Sequence, residues 1–206
     1  MRQRNAAASR REIIQIASAL FLEEGYDNVT LERVSRETGA SVRTLMRYFG
    51  SKDRLALAEH LALLTRCEAR FEARFEAGAD VGAVPGTVLE LWNAHIHEVA
   101  VRLQAHTGWA VAHFGMVFDD LSLRSRFLSI QQRYEDLLAA SLAREAGAPE
   151  PGLTHRVLAA SLVAANLALI RHWLDGAGTS DLRALHAAVM SYATSGLAAL
   201  DEAAHR

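Results

Sequence analysis

An all-α fold of about nine helices is predicted by three features of the sequence. Apolar residues recur at helical spacing along most of the chain. No stretch alternates with the period of two that a strand requires. Breakers are few: the three prolines stand at 85, 149 and 151, against an alanine content of about 18%. Alanine loses least on entering a helix and proline most, so this balance favours helix throughout. The chain has 206 residues, half of them apolar and 22% charged, enough to bury a sizeable core. That composition excludes a largely disordered protein. The single cysteine, Cys67, excludes a disulfide framework and a thiolate metal cage within one chain. No apolar run reads as long enough to span a membrane, and the polar, basic residues 1–11 do not read as a signal peptide. A cytoplasmic protein is expected.

The elements follow in order. Ile13, Ile14, Ala17, Leu20 and Phe21 form one apolar stripe on a helix that starts near Ser9 and is closed by Gly25. Thr30 caps a short second helix carrying Leu31 and Val34, which Gly39 ends. Ser41 caps a third, over residues 42–49. Gly50 and Ser51 break and recap the chain, and a long fourth helix is predicted over 52–77. Three glycines and Pro85 make 78–86 a loop. A helix over 87–106, a break at Thr107-Gly108, an aromatic segment over 109–118 and a helix opened by Asp119-Asp120 and reaching about 146 come next. Residues 147–152, with two prolines, are a linker. Two apolar helices, over 153–175 and 181–204, complete the fold.

A net charge of −2 is unpromising for a nucleic-acid binder, but the charge is unevenly spread. Residues 1–60 carry ten Arg or Lys against eight Asp or Glu, and residues 61–206 carry twelve against sixteen. The chain is a mildly basic head on an acidic body. Within the head, the second and third helices are joined by a tight turn at Gly39, across which Val34 and Leu45 can pack. This is helix-turn-helix spacing, which puts the second helix of the pair in the major groove. An ordinary αα-corner has the same spacing.

The wider string narrows the choice. Gly25-Tyr26, Val29-Thr30-Leu31, Thr38-Gly39-Ala40-Ser41, Arg43-Thr44-Leu45-Met46-Arg47-Tyr48-Phe49 and Ser51-Lys52-Asp53 stand at fixed spacing behind the apolar stripe of the first helix. The head, residues 9–60, resembles the DNA-binding domain of the tetracycline-repressor (TetR) family of transcriptional regulators. The rest of the chain matches that family in helix count and size. The resemblance implies a homodimer on double-stranded operator DNA, released by a small-molecule effector of unknown identity. It places Thr30, Tyr48 and Lys52 on phosphates. A lysine at a helix N-terminus suits an anion, and Lys52 is the chain's one lysine. The face available to base edges is Ser41, Val42, Arg43, Thr44, Met46 and Arg47, with Arg33 within reach of base or backbone. Arg43 is the best candidate for guanine, because a guanidinium bonds O6 and N7 together. Met46 stands where the family usually has an aromatic residue.

The body offers two readings. Trp92, Ile96, Trp109, His113, Tyr134, Asn166 and Ile170 sit at helical spacing on successive helices and suit an apolar effector pocket with a few polar groups. They also suit a plain core. Asn166, an amide in an apolar run, needs a partner from ligand or protein. No metal site is expected: His95 and His97 point apart on one helix, and the remaining Glu-x-x-His pair, Glu202 and His205, is terminal. No catalytic constellation and no cofactor motif is found. The last two helices, rich in alanine, suit a homodimer interface. The expected organisation is a DNA-binding domain over residues 1–50 and a ligand-binding and dimerisation domain over 51–206. The expected function is that of a ligand-responsive repressor on a pseudo-palindromic operator. The alternative is a helical small-molecule-binding protein or enzyme without DNA binding.

Overall fold

A computed structural model describes the backbone of residues 2–76 and 86–191, and the side chains from Arg10 onward. Its helices are α1 (Arg2–Glu24), α2 (Leu31–Thr38), α3 (Val42–Phe49), α4 (Lys52–Ala56), α5 (Ala58–Glu76), α6 (Val88–Ala105), α7 (Thr107–Asp119), α8 (Leu121–Glu145) and α9 (Leu153–Asp175). Residues 182–191 are helical as well, and no strand occurs among the described residues. The predicted loop over 78–86, apart from Gly86, and the end of the last helix, with Leu197, Leu200, Glu202 and His205, lie outside the described residues.

Two compact units result. The first is Met1–Leu63 with Ala112–Ser129; the second is Leu64–Val111 with Ile130–Arg206. The sequence boundary at residue 50 falls inside the first unit, and the division runs through α5, α7 and α8. In the first unit, Ile13, Ala17, Leu20 and Phe21 bury the predicted stripe of α1. Val34 and Leu45 close the α2–α3 corner, and Phe49 and Leu55 continue the same core. The second unit buries Leu64, Cys67 and Phe71 of α5, Val88, Leu91 and Trp92 of α6, Leu138 and Leu142 of α8, and Leu158, Leu162 and Trp173 of α9. Gly178, at φ 73, closes the turn after α9; a Cβ there would stand 2.3 Å from Thr107 Cγ2. That turn therefore accepts only glycine.

Four expectations are corrected. The first helix begins at Arg2 rather than near Ser9, because Ala6, Ala7 and Ala8 carry no signal to stop it. The long fourth helix is two helices. Leu55, Ala56, Leu57 and Ala58 are buried in succession, and four consecutive residues cannot share one face of a straight helix. The chain turns at Leu57, whose N–H bonds back to the Asp53 carbonyl at 2.9 Å. The break after α6 lies at His106 (φ −131, ψ 44), so Thr107 and Gly108 open α7 instead of interrupting the chain. Finally, α9 is long and apolar enough to cross a membrane. It is a core helix of the second unit: it buries seven residues, Asn166 among them.

Candidate nucleic-acid interface

The head is built by local capping. Thr30 is extended (φ −100, ψ 164) and its Oγ1 accepts from the Arg33 N–H at 3.2 Å. Gly39, at φ 69, turns the chain and donates its N–H to the Ser35 carbonyl at 3.0 Å. Ser41 then caps α3 by accepting from the Thr44 N–H at 3.2 Å, with its hydroxyl 2.9 Å from that of Thr44. Ser51 repeats the device on Arg54 at the start of α4. Each cap satisfies a donor that a helix start leaves orphaned.

With Leu45 and Phe49 inward, the opposite face of α3 is exposed. Arg43, Met46 and Arg47, spaced i, i+3 and i+4, share that face. Met46 is 45% exposed, so the departure from the family's aromatic faces outward and leaves the corner's packing intact. Val42, Thr44 and Tyr48 are half-buried at its edges. The Arg47 guanidinium lies over the Tyr48 ring at 5.2 Å, and that of Arg10 over Phe49 at 5.3 Å. Both cations are thereby held against the head by aromatic faces. Arg43 enters no ion pair among the described residues.

Two predicted contact residues are otherwise engaged. Arg33 pairs with Glu24 and Glu37, each at 2.8 Å, and both carboxylates raise its pKa. Lys52 Nζ donates to the Tyr26 carbonyl at 2.9 Å and sits 4.0 Å above the Tyr26 ring. Beside it is a junction that sequence reasoning missed. Asp53 accepts from the Tyr26 hydroxyl, from Ser122 Oγ at 3.1 Å and from the Arg126 guanidinium. Burial pushes the Asp53 carboxyl up, but these three donors outweigh it and hold it below the usual carboxylate range. Burial first, and then the bond to Asp53, push the Tyr26 phenol far up. Asp53 lies next to Lys52, so the junction also fixes the start of α4. No local sequence signal joins residues 53, 122 and 126.

Of the residues expected in a pocket, six lie in the second unit and His113 in the first. Trp92 and Tyr134 meet in the second unit, their ring centroids 5.7 Å apart and edge to face. His95 joins them, its Nε2 3.2 Å from the Tyr134 hydroxyl. Asn166 finds a protein partner: its amide donates to the Leu162 carbonyl at 2.7 Å, and its Oδ1 lies 3.3 Å from His186 Nδ1. His186 Nε2 is in turn 2.9 Å from Asn93 Oδ1. His113 belongs to the first unit, where its Nε2 is 3.0 Å from that of His60, between Phe114 and Phe127. Burial lowers His60 to about 3 and His113 to about 4, so both are neutral. Ile96, Trp109 and Ile170 are half-buried. No cluster of three or more His, Cys, Asp or Glu able to hold a metal occurs among the described residues.

Residues 13–58 match the family profile described as "Bacterial regulatory proteins, tetR family", and residues 87–198 match the "MftR C-terminal domain". The second match covers more than half of the chain. The chain belongs to the tetR family of bacterial regulatory proteins. The head of this regulator is 37% identical over 57 residues to the HTH-type transcriptional regulator TcmR of Streptomyces glaucescens. That match takes in 28% of this chain and only a quarter (25%) of the length of that relative. The fold of the regulator resembles Bacillus subtilis FadR, solved with stearoyl-CoA (TM-score 0.59, 19% identity, covering 90% of this chain and 98% of that one). It also resembles SmeT of Stenotrophomonas maltophilia, solved with triclosan (TM-score 0.65, 16% identity, covering 92% and 91%).

Proposed function

We propose that this regulator is a sequence-specific repressor that binds operator DNA as a homodimer and is released by a small, largely apolar effector. The observation that carries the reading is the exposed face of α3. It presents Arg43, Met46 and Arg47 on a helix whose start is capped by Ser41 and whose other face is buried. Arg43 is free to bond a base edge, and Arg47 to bond a base or phosphate. Lys52 spends one of its three donors on Tyr26 and keeps two for a phosphate at the start of α4. Thr30 and Tyr48 flank this surface as further phosphate contacts. The Arg33 pairs are exposed and weak, so a phosphate competes for them at little cost.

The dimer is supported by exposed small residues on the last two helices, Ala164 and Ala168 of α9 and Ala184, Ala187 and Ala188 after it. Such residues let helices of a second copy approach closely. The effector class is supported by the structural relatives, whose bound molecules are stearoyl-CoA and triclosan. A family regulator acts on DNA in the cytoplasm, and that is the proposed location.

The test is DNA binding across a salt series, on fragments selected from random-sequence DNA. Wild type is expected to protect two half-sites, with a log–log salt slope of roughly −0.9 per phosphate contacted. Arg43→Ala relaxes the preference at one base position, costing about 1–3 kcal/mol there. Lys52→Ala weakens all sequences alike and reduces the slope by about one. Selection of no fragment, or a flat slope, overturns the reading in favour of a helical binding protein without DNA.

A further inference from the structure

We propose that the indole N–H of Trp92 is the donor that anchors the effector in the second unit, and that the effector carries a carbonyl-type acceptor on an apolar body. The inference rests on the effector reading above and names the chemistry of that site.

Trp92 is 1% exposed, yet its Nε1 has no hydrogen-bond partner among the described residues. Buried polar atoms are nearly always paired, and an orphan donor in an interior marks a place where a partner is missing. Trp173, the buried tryptophan of α9, shows the ordinary case: its Nε1 donates to the Ser180 carbonyl at 3.1 Å. The surroundings of Trp92 specify what the missing partner is. The Tyr134 ring stands edge-on at 5.7 Å and the His95 ring at 6.1 Å. The Tyr134 hydroxyl and His95 Nε2 are 3.2 Å apart and form an adaptable pair. With the imidazole proton on Nδ1, the phenol donates to Nε2. With the proton on Nε2, the imidazole donates to the phenol oxygen and the phenol proton is freed. An arriving acceptor therefore meets one fixed donor, the indole, and one that becomes available by a change of tautomer.

Charge argues against a cationic head. Burial lowers His95 to about 4 and pushes Tyr134 far up, so both are neutral. The nearest fixed charges leave a positive residue. Arg66 and Arg70 share the single carboxylate of Glu98, at 3.8 and 3.2 Å, while Arg133 pairs with Glu68 at 2.6 Å. After burial itself, Arg70 and Arg66 also disfavour a positive charge on His95, and Glu98 opposes them. An uncharged cluster with one fixed, unpartnered donor beside more arginines than carboxylates selects an acceptor.

Two probes of equal chain length and opposite head chemistry test this: methyl decanoate, which only accepts, and decylammonium, which only donates. In the proton–nitrogen spectrum of the intact protein, the Trp92 indole resonance is identified by its loss in Trp92→Phe. The ester is expected to move that resonance downfield and to bind at least about tenfold more tightly than decylammonium. Trp92→Phe is expected to lose about tenfold in ester affinity and to leave decylammonium unchanged. An unmoved indole resonance, equal affinity for the two probes, absence of ester binding, or full ester affinity in Trp92→Phe overturns the proposal. Should Trp92→Phe not fold, the resonance is identified by elimination with Trp109→Phe and Trp173→Phe, and its shift in wild type together with the ester affinity of Tyr134→Phe, expected to fall severalfold, decides the matter. DNA binding is followed on the same samples. Its persistence beside a failed ester titration discards the anchor and keeps the regulator; its absence in wild type faults the regulator reading itself.

Discussion

The helix-turn-helix head and the buried polar clusters satisfy their hydrogen bonds over very different lengths of chain. In the head, Thr30, Ser41 and Ser51 each accept from the backbone three residues ahead. These bonds face solvent and form as soon as a helix starts. Elsewhere the partners are distant in sequence: His186 and Asn166 are 20 residues apart, His95 and Tyr134 are 39, His60 and His113 are 53, and Asn93 and His186 are 93. Such pairs exist only in the finished fold, and the fully buried ones, His95–Tyr134 and His186–Asn166, are costly to lose. The head is built from replaceable local parts, and the interior from pairs that depend on the whole.

Acid is expected to break the comparison most severely. The unfolded chain's histidines titrate near 6.5, whereas burial holds His60 and His113 at about 3 and about 4 in the fold. A lowered folded value means that the unfolded chain binds protons the fold refuses. Stability is therefore whole above about pH 6.5 and falls as pH drops toward 4. The melting temperature should fall through that window, with a loss on the order of a few kcal/mol. The double variant His60→Leu with His113→Leu should flatten the acid limb; an unchanged limb would show that the pair is not responsible.

Next in size is His186→Ala. It removes the buried partner of Asn166 and its bridge to the exposed Asn93, and is expected to cost about 2 kcal/mol, read from the urea midpoint. His186→Gln, which restores one partner, should recover part of it. A loss below about 0.5 kcal/mol in His186→Ala would mean that the bridge carries little. The smallest effects belong to the head. Thr30→Ala and Ser41→Ala each remove one cap and should cost about 1 kcal/mol, with equal losses on replacement by valine, which has no acceptor. Losses as large as that of His186→Ala would erase the distinction between the two regions.

The contrast accounts for what could be read in advance. The caps at Thr30 and Ser41, the turn at Gly39, the α2–α3 corner and the bounds of α9 were legible, because each depends on residues within one or two turns of helix. The break at Leu57 was not. It follows from burying four residues in a row, which no periodic pattern announces. Arg33 reads as a free cation until Glu24, nine residues earlier, is brought beside it. The Asp53 junction escaped for the same reason: Ser122 and Arg126 reach it from about 70 residues away. The predicted pocket residues shared helical spacing, but spacing says nothing about which helices meet. Trp92 and Tyr134 came together, Asn166 was claimed by His186, and His113 belongs to the other compact unit.

By itself, the sequence determined the helical class, most element bounds, the exposed face of α3 and, through its resemblance, the family. The class, the bounds and the exposed face rest on backbone propensity, capping and short-range periodicity, and the family on a string of residues at fixed spacing in the head. Only the tertiary structure decided which polar groups pair in the interior and which, like Trp92 Nε1, have no partner among the described residues. Those outcomes depend on contacts between residues far apart in the chain. A desolvated donor's need for a partner is felt only once packing has removed the water that would have supplied one.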